Sequence, residues 1–322
     1  MQPDPIRIGT RASALAQVQA RQVQAAVVQA LGADPELKDV VAPLVLISTA
    51  GDRIQDRRLL EVGGKALFTK EIEQALLDRV IDCAVHSLKD VPALQPPGLV
   101  IAAYPEREDP RDALVSNAYA NLDALPQGAR LGTASLRRQA QALRRRPDLE
   151  IVMLRGNVQT RLRKLDEGEV HATLLACAGL NRLGLGHRVS DRLDPREAPP
   201  APGQGAIAVQ TRAADAHEDW AVRLHHAPTA LRLAAERGAL EALEGSCRTA
   251  MGAYAELSAT ELVLTVEALV PDGSAAWRRQ GVLTLEGLTD AEGAAAELGR
   301  RLGLEVREAG GERLVWDDVA VG

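Results

Sequence analysis

Three stretches of this chain place chemically capable residues where a strand should end. HSLKDVP (86–92) sets Ser87, Lys89 and Asp90 directly after the apolar segment VIDCAVHS, with Pro92 stopping the turn. A carboxylate at a strand end, partly dehydrated and facing cations, can stabilise a cationic intermediate and move protons. A bare Lys-Asp pair also reads as a solvated loop, and His86 reads as hydrogen-bonded scaffolding; the position at a strand end favours chemistry at Asp90. TASLRRQAQALRRRP (133–147) carries five arginines and no acid in a chain of formal charge −6. Thr133 and Ser135 are natural N-caps, which puts Arg137 and Arg138 in a first helical turn. Cations there oppose the macrodipole at a cost of about 0.3–1 kcal/mol each. Free backbone N–H groups at the same end favour an anion, so the two arginines predict a ligand with carboxylates or phosphates. Arg144, Arg145 and Arg146 fall in the last turn before Pro147, where cations complement the dipole, and read as a solvated helix end.

LRGNVQTR (154–161) adds Arg155 and Arg161 after another strand. Arg11 after IRIGT, Lys65 in VGGK and Arg182 in AGLNRLG repeat the placement; each alone is an ordinary surface charge, and the repetition carries the argument. Cys247, in LEGSCRTA, sits in a Gly-Ser turn beside Arg248, where an exposed thiol ionises more easily. Cys83 and Cys177 lie in apolar strands and read as small core residues. An odd count of three widely spaced cysteines argues against a disulfide framework, and without CxxC or HxxxH spacing no metal site is expected.

The elements that must position these residues alternate. IRIGT (6–10) reads as a strand, followed by a helix from Ser13 to Leu31. VVAPLVLIS (40–48) reads as a strand buried on both faces, a helix is expected over 66–79, and VIDCAVHS (80–87) as a further strand. This βαβ alternation predicts a doubly wound parallel sheet. The layout then restarts. ARLGTASLRRQAQAL (129–143) matches IRIGTRASALAQVQA (6–20), and strands at 150–154 and 170–180 follow, so twin lobes are expected. YPEREDPRD (104–112) and DPREAPPAPGQG (194–205) read as two crossings, with strand 206–212 returning to the first lobe. TAGDRIQDRRLLEVGGK (49–65) reads as a mobile lid. Beyond a helix at 227–243, three alternating segments with a PDG turn (271–273) predict an antiparallel sheet. TDAE (289–292) predicts a capping box for a last helix ending near Gly303. The expected domains are an α/β lobe from 1–106 and 203–224, a second α/β lobe from 107–202, and a small α+β domain over 225–322.

Composition narrows the function classes. At 322 residues, 46% hydrophobic and 25% charged, the chain is an ordinary globular protein of two or three domains. Aromatics are only 2% of residues, which with the net acidity speaks against nucleic acid as the partner of the arginines. MQPDPIRIGTRAS lacks the apolar region of a secretory signal, and no apolar run nears the roughly 18 residues of a spanning helix; a cytoplasmic protein without membrane contact is expected. VGGK is not a Walker loop, and GQGAIA (203–208) runs into a strand, so neither marks a nucleotide site. A non-catalytic solute-binding protein remains a rival to an enzyme.

Taken in order, IRIGTRASALAQVQA, VGGKALFTKE, AVHSLKDVP, EREDPRDA, GTASLRRQAQ, LRGNVQTRL, AGLNRLGL, APGQGAIA and LEGSC resemble the porphobilinogen deaminases over about residues 6–255. The resemblance implies two lobes like those of type II periplasmic binding proteins plus a C-terminal domain. It implies an enzyme that joins four porphobilinogen molecules head to tail, releasing ammonia each time, and then hydrolyses off the linear tetrapyrrole. It also implies a dipyrromethane cofactor bound as a thioether to Cys247, Asp90 as the catalytic residue beside an azafulvenium-like cation, and a monomer. Cofactor carboxylates would be held by Ser13, Lys89, Thr133, Ser135, Arg137, Arg138 and Arg161, and substrate by Arg11, Arg155 and Arg182, with Gln19, Lys65, Phe68, Ser87 and Gln204 as cleft neighbours. Two carboxylates per pyrrole match many arginines, each able to grip a carboxylate bidentately. Three positions depart from the resemblance: Glu61 where a base is frequent, Ala134 where Ser is frequent, and Ser246 in the cysteine turn.

Overall fold

The structure is a computed structural model that describes residues 4–53, 68–243 and 250–314. The chain forms two compact units, 1–108 with 205–230, and 109–204 with 231–322.

In the first unit β1 (Ile8–Arg11) leads into α1 (Ala14–Ala30). Ser13 caps the helix, its Oγ accepting from Ala16 N at 3.4 Å. The other end closes as a Schellman motif: Gly32, at φ 64°, and Ala33 donate to Gln29 O and Val28 O. Ala16, Ala20, Val23 and Val27 form the helix's buried stripe. The chain continues through α2 (Lys38–Val41), β2 (Leu44–Ile47), α3 (Ala50–Arg53), α4 (Lys70–Leu77), β3 (Cys83–Ser87) and β4 (Leu99–Ala103).

It then passes into the second unit with β5 (Asp112–Val115), β6 (Arg130–Gly132), α5 (Leu136–Arg145), β7 (Glu150–Val152), α6 (Val158–Asp166), β8 (Ala172–Ala176), α7 (Cys177–Arg182) and β9 (Asp191–Arg192). β10 (Ile207–Arg212) and α8 (Asp219–Arg223) belong to the first unit again. α9 (Ala227–Leu243), β11 (Ala250–Leu257), β12 (Glu261–Leu269), β13 (Ala276–Thr284) and α10 (Ala291–Gly310) complete the chain.

The two larger sheets share one topology, β2-β1-β3-β10-β4 and β7-β6-β8-β5-β9. Their registers match as well. Ile8 stands opposite Cys83 at the start of β3, as Leu131 stands opposite Ala172 at the start of β8. In each sheet four strands run in one direction, and one, β10 in the first sheet and β5 in the second, runs antiparallel to both of its neighbours. Alternate residues of β3 serve opposite faces: Cys83 and Val85 pack with α1 and α8, while Ala84 packs with Ile72 and Leu76 of α4. In the second unit, β11-β12-β13 packs on α9 and α10 around Leu262, Leu264 and Val266. Ala140 of α5 joins Ala250 and Leu269 in a separate apolar contact.

Several expected elements differ. The 40–48 strand is only β2, because Pro43 ends the helical turn before it; β2 is an edge strand and Leu46 is 53% exposed. Cys177 opens α7 instead of lying in a strand. Asp290, not Thr289, caps α10, its carboxylate accepting from Gly293 N at 2.8 Å. That helix runs past Gly303 to Gly310. Gly299 and Gly303 are packing positions within it: a Cβ on Gly299 would lie 2.0 Å from Ala235 O, and one on Gly303 3.0 Å from Ala239 O. The strands β4, β5 and β9 have no counterpart among the strands expected from sequence.

Candidate active site

In the first unit the parallel strands β1, β2 and β3 end on one edge, where open α/β sheets bind ligands. Arg11 closes β1, its guanidinium 4.1 Å from the ring centre of Phe68, a cation–π contact. Ser13 follows as the α1 cap. β3 ends at Ser87, whose Oγ donates to Oε1 of the buried Gln19 at 2.9 Å. Leu88–Asp90 forms one 3-10 turn, anchored by buried Leu88, with Lys89 and Asp90 both exposed. The sheet's buried His86 bonds Gln210 at 3.1 Å. Burial pushes its pKa down to about 4, the Gln210 bond opposing and the Arg11 charge adding to the shift.

In the second unit β6, β7 and β8 are parallel and end together. Thr133 Oγ1 accepts from Ser135 N at 3.1 Å, and Ser135 Oγ caps α5 by accepting from Arg138 N at 3.4 Å. Arg155 and Arg161 follow β7; Arg161 Nε donates to Gly156 O at 2.9 Å, next to the α6 cap Asn157. Arg182 ends α7 after β8. Nη1 of Arg155 is buried and has no hydrogen-bond partner among the described residues.

Arg137 and Arg138 are nearly enclosed, 5% and 6% exposed, around a carboxylate the sequence reading missed. Asp112 Oδ2 accepts from Arg137 Nη1 at 2.6 Å, and Oδ1 from Arg138 Nη2 at 2.7 Å, Arg138 Nε at 2.9 Å and Gln204 Nε2 at 2.9 Å. Burial alone would raise the Asp112 pKa; the two guanidinium groups outweigh it and hold the carboxyl well below the usual range. Gln204, expected as a cleft neighbour, is thus buried in this cluster and also donates to Pro110 O at 2.8 Å. Gln141 links the cluster to Glu267 at 3.2 Å, and Glu267 has its own partner, Arg278, at 2.6 Å. The only sequence hint of Asp112 is its place in the charged, proline-marked crossing EREDPRDA.

The solvated helix end is likewise corrected. Arg145 pairs with Asp123, and Arg146 donates to the carbonyls of Leu122 and Leu125 at 2.9 and 3.0 Å while pairing with Asp148 at 2.8 Å. Arg146 therefore fastens the 122–126 turn, and Arg144 alone is exposed without an ion pair among the described residues. A cavity of about 320 Å³ in this unit is lined by Arg138, Arg144, Asp191, Asp194 and Glu197 among others. Its walls mix both charge signs and include none of Arg155, Arg161 and Arg182, so it does not suit a polycarboxylate. Cys247, Lys65, Glu61, Ser246 and most of the expected lid lie outside the described residues. Among the described residues no cluster of His, Cys, Asp or Glu could hold a metal ion, and no helix is long and apolar enough to cross a membrane.

Residues 6–219 match the family model for the porphobilinogen deaminase dipyrromethane cofactor-binding domain, and residues 230–308 the model for the C-terminal domain. The chain belongs to the porphobilinogen deaminase family. The porphobilinogen deaminase of Caulobacter vibrioides strain NA1000 is 60% identical over 97% of this chain and 98% of its own length. That of Phenylobacterium zucineum is 58% identical over 96% and 98%. Among solved structures, the methionine-binding protein MetQ matches 69% of this chain and 90% of its own, at a TM-score of 0.44 and 16% identity. As a porphobilinogen deaminase the chain is a transferase, a hydroxymethylbilane synthase that builds a linear tetrapyrrole from porphobilinogen on a dipyrromethane cofactor. The strand-end residues described above all lie within its cofactor-binding region, 6–219.

Proposed function

We propose that in this porphobilinogen deaminase Asp90 is the catalytic carboxylate and that the strand-end cations hold the acidic side chains of primer and substrate. The observation that carries this reading is a charge imbalance. Arg137 and Arg138 share one carboxylate, Asp112, which leaves one buried positive charge over, and Arg155 has a buried donor without a partner among the described residues. Buried charge of this kind is stable when an anion completes it. A dipyrromethane, with carboxylates on each ring, fits these donors. When bound it supplies the growing end to which new pyrroles are joined.

The roles divide as follows. Cys247 carries the cofactor as a thioether. Ser13, Lys89, Thr133, Ser135, Arg137, Arg138 and Arg161 hold cofactor carboxylates, Arg137 and Arg138 with orientations set by Asp112. Arg11, Arg155 and Arg182 bind the carboxylates of incoming porphobilinogen, and Lys65 and Phe68 contribute to substrate binding as well. Gln19, Ser87 and Gln204 act by fixing neighbours. Asp90, exposed at the end of β3, holds the pyrrole N–H and stabilises the cation left as ammonia departs; a general acid or base so placed contributes roughly 10²–10⁴-fold. The enzyme works as a cytoplasmic monomer, divided into lobes at 1–106 with 203–224 and at 107–202, and a C-terminal domain at 225–322.

The test is turnover by Asp90→Ala, expected to fall by at least about 100-fold at an unchanged thermal midpoint. Near-normal turnover would remove Asp90 from the reaction.

A further inference from the structure

A polar chain, buried at His86 and Gln210 and half-buried at Gln95, ends on the segment that carries Asp90, and neither the strand-end motifs nor the family match accounts for it. β3 and β10 pair antiparallel, His86 opposite Ala208 and Ala84 opposite Gln210. His86 and Gln210 therefore leave the sheet on one face, the face that α4 covers. There His86 Nε2 lies 3.1 Å from Gln210 Oε1, and Gln210 Nε2 lies 2.9 Å from Gln95 Oε1. Gln95 Nε2 in turn lies 2.9 Å from Pro92 O.

The direction of every bond in this chain is dictated. Pro92 offers only a carbonyl, so Gln95 must donate to it and turn its oxygen toward Gln210. Gln210 must then donate with its nitrogen and accept with its oxygen, which requires the His86 proton on Nε2. The second Gln210 N–H reaches Oε1 of buried Glu73 on α4, at 3.3 Å, which favours the same orientation. With a pKa near 4, His86 stays neutral at neutral pH and the chain keeps one polarity.

The far end of this chain is the segment that carries Asp90. Before Asp90, Leu88 is buried and its N–H donates to Ala206 O at 3.0 Å. After Asp90, Val91 N closes the turn on Leu88 O at 3.0 Å, and Pro92 receives the Gln95 amide. The exposed Asp90 thus sits between a backbone tie on one side and the side-chain relay on the other.

We propose that Gln210 is a positioning residue for Asp90, holding the 88–95 segment in register by orienting Gln95 against Pro92 O. This rests on the reading of Asp90 as the catalytic carboxylate. Small displacements of a catalytic group cost rate more than affinity, since binding is held by other residues.

The experiment compares kcat and KM for porphobilinogen in the cofactor-loaded enzyme and its variants Gln210→Leu, Gln210→Glu, Gln95→Leu, Val209→Ala and Asp90→Ala. Gln210→Glu keeps the acceptor for His86 and replaces the two amide donors to Gln95 and Glu73 with one carboxyl proton at most. Val209→Ala trims the neighbouring buried residue that packs on the opposite, α1 side. Expected for Gln210→Leu, Gln210→Glu and Gln95→Leu is a kcat roughly tenfold lower with KM within about twofold. The double Gln210→Leu/Gln95→Leu variant should lose little more than either single one. Val209→Ala should lose thermal stability and keep its kcat. A wild-type kcat in Gln95→Leu, or an equal loss in Val209→Ala, would overturn the positioning role even if the Gln210 variants fail to fold. If Asp90→Ala is inactive while Gln210→Leu is fully active, this inference alone fails; an active Asp90→Ala enzyme removes the reading on which it rests.

Discussion

Replacing Asp112 with alanine leaves two guanidinium groups buried around an empty acceptor. The expected loss is about 3–5 kcal/mol in chemical denaturation, because the penalty comes from the stranded charges rather than from the lost bonds. A loss under about 1 kcal/mol would show that Arg137 and Arg138 relax into solvent. His86 gives a second measurement at this scale. Its folded pKa of about 4 lies below the roughly 6.5 of an unfolded histidine, so the unfolded chain takes up the proton first as pH falls. The stability tied to neutral His86 is complete above about pH 6.5 and is lost between there and about pH 4, by up to about 3 kcal/mol. Urea midpoints of His86→Gln should fall less steeply across that window than those of the parent; parallel slopes would contradict the buried neutral imidazole. At this scale the cations were legible in the sequence and their partners were not. Arg137 and Arg138 announce themselves by opposing a helix dipole. Asp112 sits 25 residues upstream of Arg137 in a stretch that reads as a linker, and no periodicity reports such a long-range pair. Gln210, inside the strand pattern AIAVQTR, is hidden for the same reason.

At the scale of elements, caps and close approaches decide what a pattern becomes. α1 was legible from Ser13 to Leu31 because its cap, apolar stripe and Schellman glycine all agree. In sequence Gly303 looks like the end of α10, whereas Gly299 and Gly303 let its backbone approach α9 and the helix continues to Gly310. Gly299→Ala should therefore cost about 1–3 kcal/mol, seen as a lower thermal midpoint, although alanine is the better helix former. An unchanged or raised midpoint would contradict that packing. The end of α5 separates two adjacent roles. Arg146→Ala should loosen the 122–126 turn and destabilise measurably, while Arg144→Ala should stay within about 0.5 kcal/mol of the parent. Equal effects would mean that the carbonyl contacts of Arg146 add nothing.

For the whole molecule, the repeated β-α layout in the sequence corresponds to two sheets of the same strand order, with matching register where β1 meets β3 and β6 meets β8. That repetition explains why similar residues recur at similar places. Arg11 and Ser13 follow β1 as Thr133 and Ser135 follow β6, and Asp90 follows β3 where Arg182 lies beyond β8. The two sheets thus offer two similar strand edges, and in the proposed division of roles one supplies the Asp90 carboxylate and the other more cations. The central claim is that these residues serve a dipyrromethane fixed to Cys247. Intact-mass measurement of the purified enzyme tests it most directly. The parent should exceed the polypeptide mass by two linked pyrrole units, and Cys247→Ser should carry no such addition. A parent protein at the bare polypeptide mass, or an addition that survives in Cys247→Ser, would contradict the account.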